Sequence, residues 1–154
     1  DHRDLHSFPT RRSSDLTLRL EKGYLYWSTD ISPDYTPFEA GLGFRVHLKT
    51  KSDFRGRRAL EAQRAEGTKR KLCTFVTDRK LPLYGGETIL KGDKVVSLAS
   101  SAGYGHTVGK TIIFGYLDTA DQNGQYEVEV FGDRHPVTLV EGPLHDAENR
   151  ALKA

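Results

Sequence analysis

The stretch Tyr126–Glu127–Val128–Glu129–Val130–Phe131 alternates apolar and polar residues, turns at Gly132–Asp133, and resumes as Val137–Thr138–Leu139–Val140. A period of two sends alternate side chains to opposite faces, the pattern of a half-buried β-strand. Two such runs around a Gly-containing turn predict a hairpin. Working outward, Thr88–Ile89–Leu90 and Val95–Val96–Ser97–Leu98 flank Lys91–Gly92–Asp93–Lys94, a second hairpin with a glycine available for positive φ. Thr111–Ile112–Ile113–Phe114–Gly115–Tyr116–Leu117 is a continuous apolar run, and Leu72–Cys73–Thr74–Phe75–Val76–Thr77 is β-branched and aromatic, with Pro82, Gly85 and Gly86 breaking the chain behind it. Several short strands with regular turns predict an antiparallel sandwich or barrel.

The half before it reads differently. Leu18, Leu20, Tyr24 and Leu25 among Arg19, Glu21 and Lys22 suit the last turns of a helix that Gly23 weakens. Residues 28–37 are rich in Ser, Thr, Asp and Pro and predict a loop. Gly43–Phe44–Arg45–Val46–His47–Leu48–Lys49 alternates and predicts a half-buried strand. Ser52 or Asp53 is placed to cap a helix running to Ala65, with Ala59 and Leu60 toward the core and Gly67 as its stop. The expected organisation is an α/β segment over 17–66, a β domain over 67–146 and a tail over 147–154. The opening Asp1–Leu16 is polar and without apolar period, and lacks the h-region of a secretory signal. It resembles the translation of a common short-read sequencing adapter. Natural sequence is therefore expected from near Thr17, with the natural protein continuing upstream.

Composition narrows the function classes. The chain has 154 residues, 36% hydrophobic and 29% charged, with a formal charge of +2. So small a charge, with basic and acidic residues interleaved, argues against a nucleic-acid partner. No apolar run approaches the ~20 residues of a membrane span. A single cysteine, Cys73, excludes an internal disulfide framework and a multi-cysteine metal site, and fits a reducing compartment, with the cytoplasm as the expectation. In its apolar strand Cys73 reads as a small buried hydrophobe.

Gly103–Tyr104–Gly105–His106–Thr107–Val108–Gly109–Lys110–Thr111 ends like a phosphate-binding loop, but Tyr104 occupies the required first glycine and a strand, not a helix, follows. A glycine turn between strands is the better reading. His47, His106, His135 and His145 have no metal-ligand spacing; His47 reads as solvated, and His106 alone is a candidate for ligand contact. No Gly-x-Ser-x-Gly elbow is present. Tyr24, Tyr26 and Trp27 beside Arg19 read first as core packing, with a stacking platform for a flat heterocycle as the alternative.

A longer pattern is more specific. Leu18–Arg19–Leu20–Glu21–Lys22–Gly23–Tyr24, Trp27, Thr29–Asp30–Ile31 and Thr36–Pro37–Phe38–Glu39–Ala40–Gly41–Leu42 occur in order. They are followed by Asp53–Phe54, Gly56–Arg57, Ala59–Leu60, Gly85–Gly86–Glu87, Ser100–Ser101–Ala102–Gly103–Tyr104–Gly105–His106 and Gly115–Tyr116–Leu117. Together they resemble the glycine-cleavage T-protein (aminomethyltransferase) family. The loop around His106, with Tyr24 and Trp27, is most similar to the folate module fused behind FAD-dependent dimethylglycine or sarcosine dehydrogenases.

The resemblance implies an α+β fold: the end of a ferredoxin-like α/β folate-binding domain, then a small antiparallel β-barrel. It implies tetrahydrofolate as cofactor, and an upstream flavin domain of the same chain, carrying FAD, as partner. In such enzymes an N-methyl group is oxidised on the flavin and the one-carbon unit is captured by tetrahydrofolate. The family's catalytic aspartate falls upstream, so no catalytic residue is expected here. The folate contacts that carry over are Tyr24, Phe44 and Lys71, the last standing where the family has arginine. Ser28 stands where the family has glycine, and His145 where tyrosine is common. The alternatives are a free-standing aminomethyltransferase, a non-catalytic regulatory relative, and a transfer-RNA-modifying folate protein, whose cysteine motif is not seen.

Overall fold

The computed structural model describes residues 16–50 and 53–153. Apart from Leu16, the adapter-like opening lies outside them, as does Ser52. Six strands form a closed antiparallel barrel: β1 (Arg70–Thr77), β2 (Thr88–Lys91), β3 (Lys94–Gly105), β4 (Lys110–Asp118), β5 (Tyr126–Val130) and β6 (Asp133–Val140). Their order is β1-β4-β3-β2-β5-β6, and β6 returns to β1 through Thr74–Val140, Phe75–Leu139 and Val76–Thr138. The two predicted hairpins form, with Gly92 at φ +61° and Gly132 at φ +89° where a Cβ would be strained. Inside the barrel, Phe75, Ile89, Ile113, Leu117 and Val128 are fully buried, and Phe75 meets Tyr126 edge to face at 5.3 Å.

The continuous apolar run of β4 has a two-sided explanation. Ile113 and Leu117 point into the barrel, while Ile112 and Phe114 form a second cluster outside it with Leu20. Leu20 comes from helical turns over residues 16–21, which end where Gly23 takes φ +72° and the Tyr24 N–H bonds to the Arg19 carbonyl at 2.8 Å. The N-terminal segment thus covers one outer wall of the barrel. The chain beyond the barrel closes over it as well: the N–H groups of Leu144 and His145 both donate to the Glu21 carbonyl at 3.0 Å, and Lys22 pairs with Asp146 at 2.8 Å.

Residues 43–66 depart from expectation. Gly43–Arg45 is a 3-10 turn, not the start of a strand. The Arg45 N–H bonds back to the Leu42 carbonyl and the Val46 N–H to the Gly43 carbonyl, so these groups are spent locally rather than on a neighbouring strand. Helix α1 (Arg57–Glu66) starts at Gly56, with no side-chain cap; the Asp53 carboxylate accepts only from the Phe54 N–H. It stops as predicted at Gly67, whose N–H bonds to the Gln63 carbonyl. None of its residues is buried, so Ala59 and Leu60 do not face a core. Ahead of Arg70 the described residues hold no strand, only an isolated bridge between Trp27 and Ile31. The expected ferredoxin-like layer is therefore not formed in this chain. A short helix α2 (Arg150–Lys153) ends the described chain.

Candidate functional site

The most closely knit polar cluster lies where the 24–31 loop meets the barrel. Strand β3 carries a register shift between Ala99 and Ser101, a bulge with Ser100 as its extra residue. From this bulge the Ser100 hydroxyl donates to Asp30 Oδ1 at 2.9 Å, and the Ser101 hydroxyl accepts from Arg19 at 2.8 Å. Asp30 has no exposed surface. Its Oδ2 accepts from Arg19 at 2.7 Å and from the Tyr26 N–H at 2.8 Å, and its carbonyl accepts from the Tyr116 hydroxyl at 2.8 Å. Arg19 also donates to the Tyr24 carbonyl at 3.0 Å. A buried carboxylate met by charged and neutral donors is fully compensated.

The next turn is built by its own sequence. Thr36–Pro37–Phe38–Glu39 is a capping box: Glu39 Oε2 accepts the Thr36 N–H at 2.9 Å, and the Thr36 hydroxyl accepts the Glu39 N–H at 3.3 Å. Pro37 suits the first helical position, and Gly41 closes the turn at φ +72°. The other Glu39 oxygen receives Arg70 of β1 at 3.2 Å. Burial raises the Glu39 carboxyl, but the Thr36 N–H, the Arg70 charge and the side-chain hydrogen bonds outweigh it and hold it below the ordinary carboxylate range.

The three aromatic residues read first as core are not buried. Tyr24 is 54% exposed, Tyr26 51% and Trp27 65%. Gly23 and Ser28, both at positive φ, turn this row outward. Of the predicted ligand contacts, Tyr24 sits on that row and Phe44 is exposed on the 3-10 turn. Lys71 is exposed on β1 and makes no ion pair among the described residues. Lys71 lines a recess of about 310 Å³ with Thr74, Gln122 and Glu141, whereas Phe44 lines another of about 470 Å³ with Phe38, His47 and Arg64. The structure does not bring these two into one cavity.

The glycine-rich stretch is the β3–β4 turn, closed by Gly109 at φ +68°. Glu21 Oε1 takes the Thr107 N–H of this turn at 2.7 Å. His106 is exposed and meets Tyr104 edge to face at 5.1 Å. Cys73 is buried, and burial pushes its thiol up, away from thiolate chemistry. Among the described residues no group of His, Cys, Asp and Glu could hold a metal. Among the described residues no helix is long and apolar enough to cross a membrane.

Residues 70–146, half of the chain, match the family described as the glycine cleavage T-protein C-terminal barrel domain. The chain belongs to this family. Among its relatives, mitochondrial sarcosine dehydrogenase from Homo sapiens is 44% identical over 146 residues, covering 89% of this chain and 16% of that protein. Aminomethyltransferase from Prochlorococcus marinus (strain NATL1A) is 39% identical over 131 residues, covering 84% and 35%. Mitochondrial dimethylglycine dehydrogenase from Homo sapiens is 36% identical over 131 residues, covering 82% and 15%. The solved structure of aminomethyltransferase T from Bartonella henselae superposes with TM-score 0.78 over 86% of this chain and 38% of that one, at 22% identity, which establishes the shared fold. The chain thus spans about a sixth of the length of the dehydrogenase relatives and about a third of the transferase.

Sequence reasoning missed Asp30, Ser100, Ser101 and Tyr116 as a unit. The adjacent serines in an otherwise apolar strand were the available signal.

Proposed function

We propose that this chain is the C-terminal part of a tetrahydrofolate-binding, one-carbon-transfer module of an FAD-dependent dimethylglycine or sarcosine dehydrogenase. The observation that carries the reading is the 44% identity to sarcosine dehydrogenase over 89% of the chain, a span that takes in the aromatic loop as well as the barrel. On this reading residues 17–66 complete a folate-binding domain supplied largely from upstream, and 67–146 are its barrel. Exposed aromatic faces and a lysine without an ion pair fit one side of a flat, carboxylate-tailed ligand. Tyr24, Phe44 and Lys71 are the proposed contacts, although Phe44 and Lys71 line separate recesses in this chain; Lys71 offers a point charge in place of arginine's fork. Tetrahydrofolate would supply the one-carbon acceptor, and FAD in the upstream domain the oxidant. The chain by itself, with one wall of a pocket and no catalytic aspartate, is proposed to be inactive. Its proposed compartment is the cytoplasm, while the names of the animal dehydrogenases place those proteins in mitochondria.

A free-standing aminomethyltransferase is the second reading, favoured by the 39% identity to the Prochlorococcus marinus protein. One experiment separates them. In the intact parent protein, Tyr24→Ala should weaken tetrahydrofolate binding by roughly ten- to a hundredfold, from lost stacking and lost apolar contact. Amine-driven flavin reduction should stay near normal. A parent without amine-reducible flavin favours the transferase. A lower melting temperature with unchanged folate affinity would return Tyr24 to mere packing and defeat the ligand reading.

A further inference from the structure

We propose that Asp30 is a positioning residue: together with Arg19 it locks residues 24–31 onto the Ser100–Ser101 bulge of β3, and so sets the direction in which Tyr24, Tyr26 and Trp27 meet a flat ligand. This rests on the folate reading above and adds the device that holds its aromatic platform.

Rings half or more exposed are not held in place by burial, so their orientation has to come from the backbone that carries them. That backbone is bound at Tyr24, Tyr26, Ser28, Asp30 and Ile31. The Tyr24 carbonyl is taken by Arg19, and the Tyr26 N–H by the Asp30 carboxylate. The Tyr26 carbonyl accepts from the N–H groups of Asp30 at 2.9 Å and Ile31 at 3.3 Å, and the Ser28 N–H donates to the Ile31 carbonyl at 2.8 Å. The bonds converge on Asp30, which is itself anchored by Ser100 on β3 and Tyr116 on β4. Asp30 is fully buried, with both carboxylate oxygens occupied, so it does not touch a ligand and acts only through the loop. Burying a carboxylate for stability alone is a poor use of it, since well-packed apolar residues commonly do as well or better. An oriented carboxylate does give the loop one conformation before any ligand arrives, and preorganisation of this kind raises affinity by removing the ordering cost of binding. The bulge is essential to the arrangement. In a regular strand Ser100 and Ser101 would point to opposite faces, whereas here Ser100 reaches Asp30 and Ser101 reaches Arg19, the two members of one ion pair.

Trp27 is the only tryptophan in the sequence, so its fluorescence reports this loop alone. The test compares the 154-residue chain with Asp30→Asn, Ser100→Ala and Ser100→Thr. Three quantities are followed: Trp27 anisotropy, the affinity for added tetrahydrofolate by absorption-corrected Trp27 quenching, and barrel unfolding by far-ultraviolet circular dichroism. Asp30→Asn should lower the anisotropy and weaken tetrahydrofolate about tenfold while the barrel stays folded. Ser100→Ala should do the same to a smaller degree, and Ser100→Thr, which keeps the hydroxyl, should behave as wild type. If Asp30→Asn fails to fold, the two Ser100 variants decide. Variants that match wild type in anisotropy and affinity overturn the positioning role, as does a loss that only follows global unfolding. The anisotropy comparison decides the loop's ordering whether or not this one-walled chain binds tetrahydrofolate. If wild type shows no quenching, affinity is read in the intact parent protein, where Asp30→Asn should weaken tetrahydrofolate about tenfold and an unchanged affinity overturns the positioning role. A parent that binds no tetrahydrofolate defeats the folate reading itself.

Discussion

Tyr35 and Tyr116 lie face to face, ring centroids 3.7 Å apart and planes 2° from parallel. Tyr116 is in β4 and Tyr35 is in the loop that precedes the capping box, so the stack ties that loop to the barrel wall. The Arg70 guanidinium lies 4.5 Å from the Tyr35 ring centre, and the Tyr116 hydroxyl donates to the Asp30 carbonyl. Burial, with Tyr35 and Asp30 nearby, pushes the Tyr116 phenol well above its ordinary value, so it remains a donor at any ordinary pH. Tyr116→Phe keeps the stack and loses one hydrogen bond, and should cost about 1 kcal/mol in urea unfolding. Tyr116→Leu removes the stack as well and should cost about 0.5–1.5 kcal/mol more. Equal effects of the two substitutions would show that the stack contributes nothing.

Ser28 adopts φ +74°, a left-handed position in which a Cβ crowds the following carbonyl. The family glycine at this place has a conformational reason, and serine carries a cost. Left-handed geometry penalises an L-residue by roughly 1–2 kcal/mol, and glycine's extra freedom in the unfolded chain returns about half of that. Ser28→Gly should therefore raise stability by about 0.5 kcal/mol, measurable as a small upward shift in the denaturation midpoint. A drop in stability would mean that the serine side chain contributes something its exposed position does not reveal.

The depressed Glu39 carboxyl makes a pH prediction with a definite sign. Its folded value lies below its unfolded value, so the stabilisation is complete above about pH 4.5 and is lost as the pH falls through the folded value. Asp121, bonded to Lys94, and Asp146, bonded to Lys22, are lowered too and act in the same direction. Melting temperature should thus fall on acidification below about pH 4.5. Glu39→Gln should be less stable at neutral pH and show a shallower acid limb without abolishing it. An unchanged acid limb in that variant would assign the whole effect to the other carboxylates.

The barrel was legible because each strand carried its own evidence. Alternation at Tyr126–Phe131, the Gly92 hairpin and the apolar β4 run all depend on neighbours along the chain, and all three formed. Gly43–Lys49 shows where such reading stops. Its alternation is real, with Val46 and Leu48 half-buried and His47 and Lys49 exposed, yet the backbone turns, with Gly43 packed against the Phe38 ring where a Cβ would approach to 2.9 Å. A strand also needs a partner, which alternation cannot supply. The aromatic row failed differently. Tyr24, Tyr26 and Trp27 have the composition of a core, but their loop turns at two positive-φ residues and is tied to a carboxylate bound to a serine seventy residues further on. A bulge leaves no mark in a single sequence, and Ser100 and Ser101 stood out only as part of the family pattern.

The return of β6 to β1 has a bearing on how such a unit travels between genes. An open sheet offers a row of unsatisfied amides and carbonyls on which a foreign chain can add itself, and a domain cut loose from its setting then tends to clump. A ring of six strands has no such frontier. It can be part of a dehydrogenase or of a transferase without exposing a template for β-aggregation. That indifference to context suits a barrel-bearing chain with relatives of both kinds.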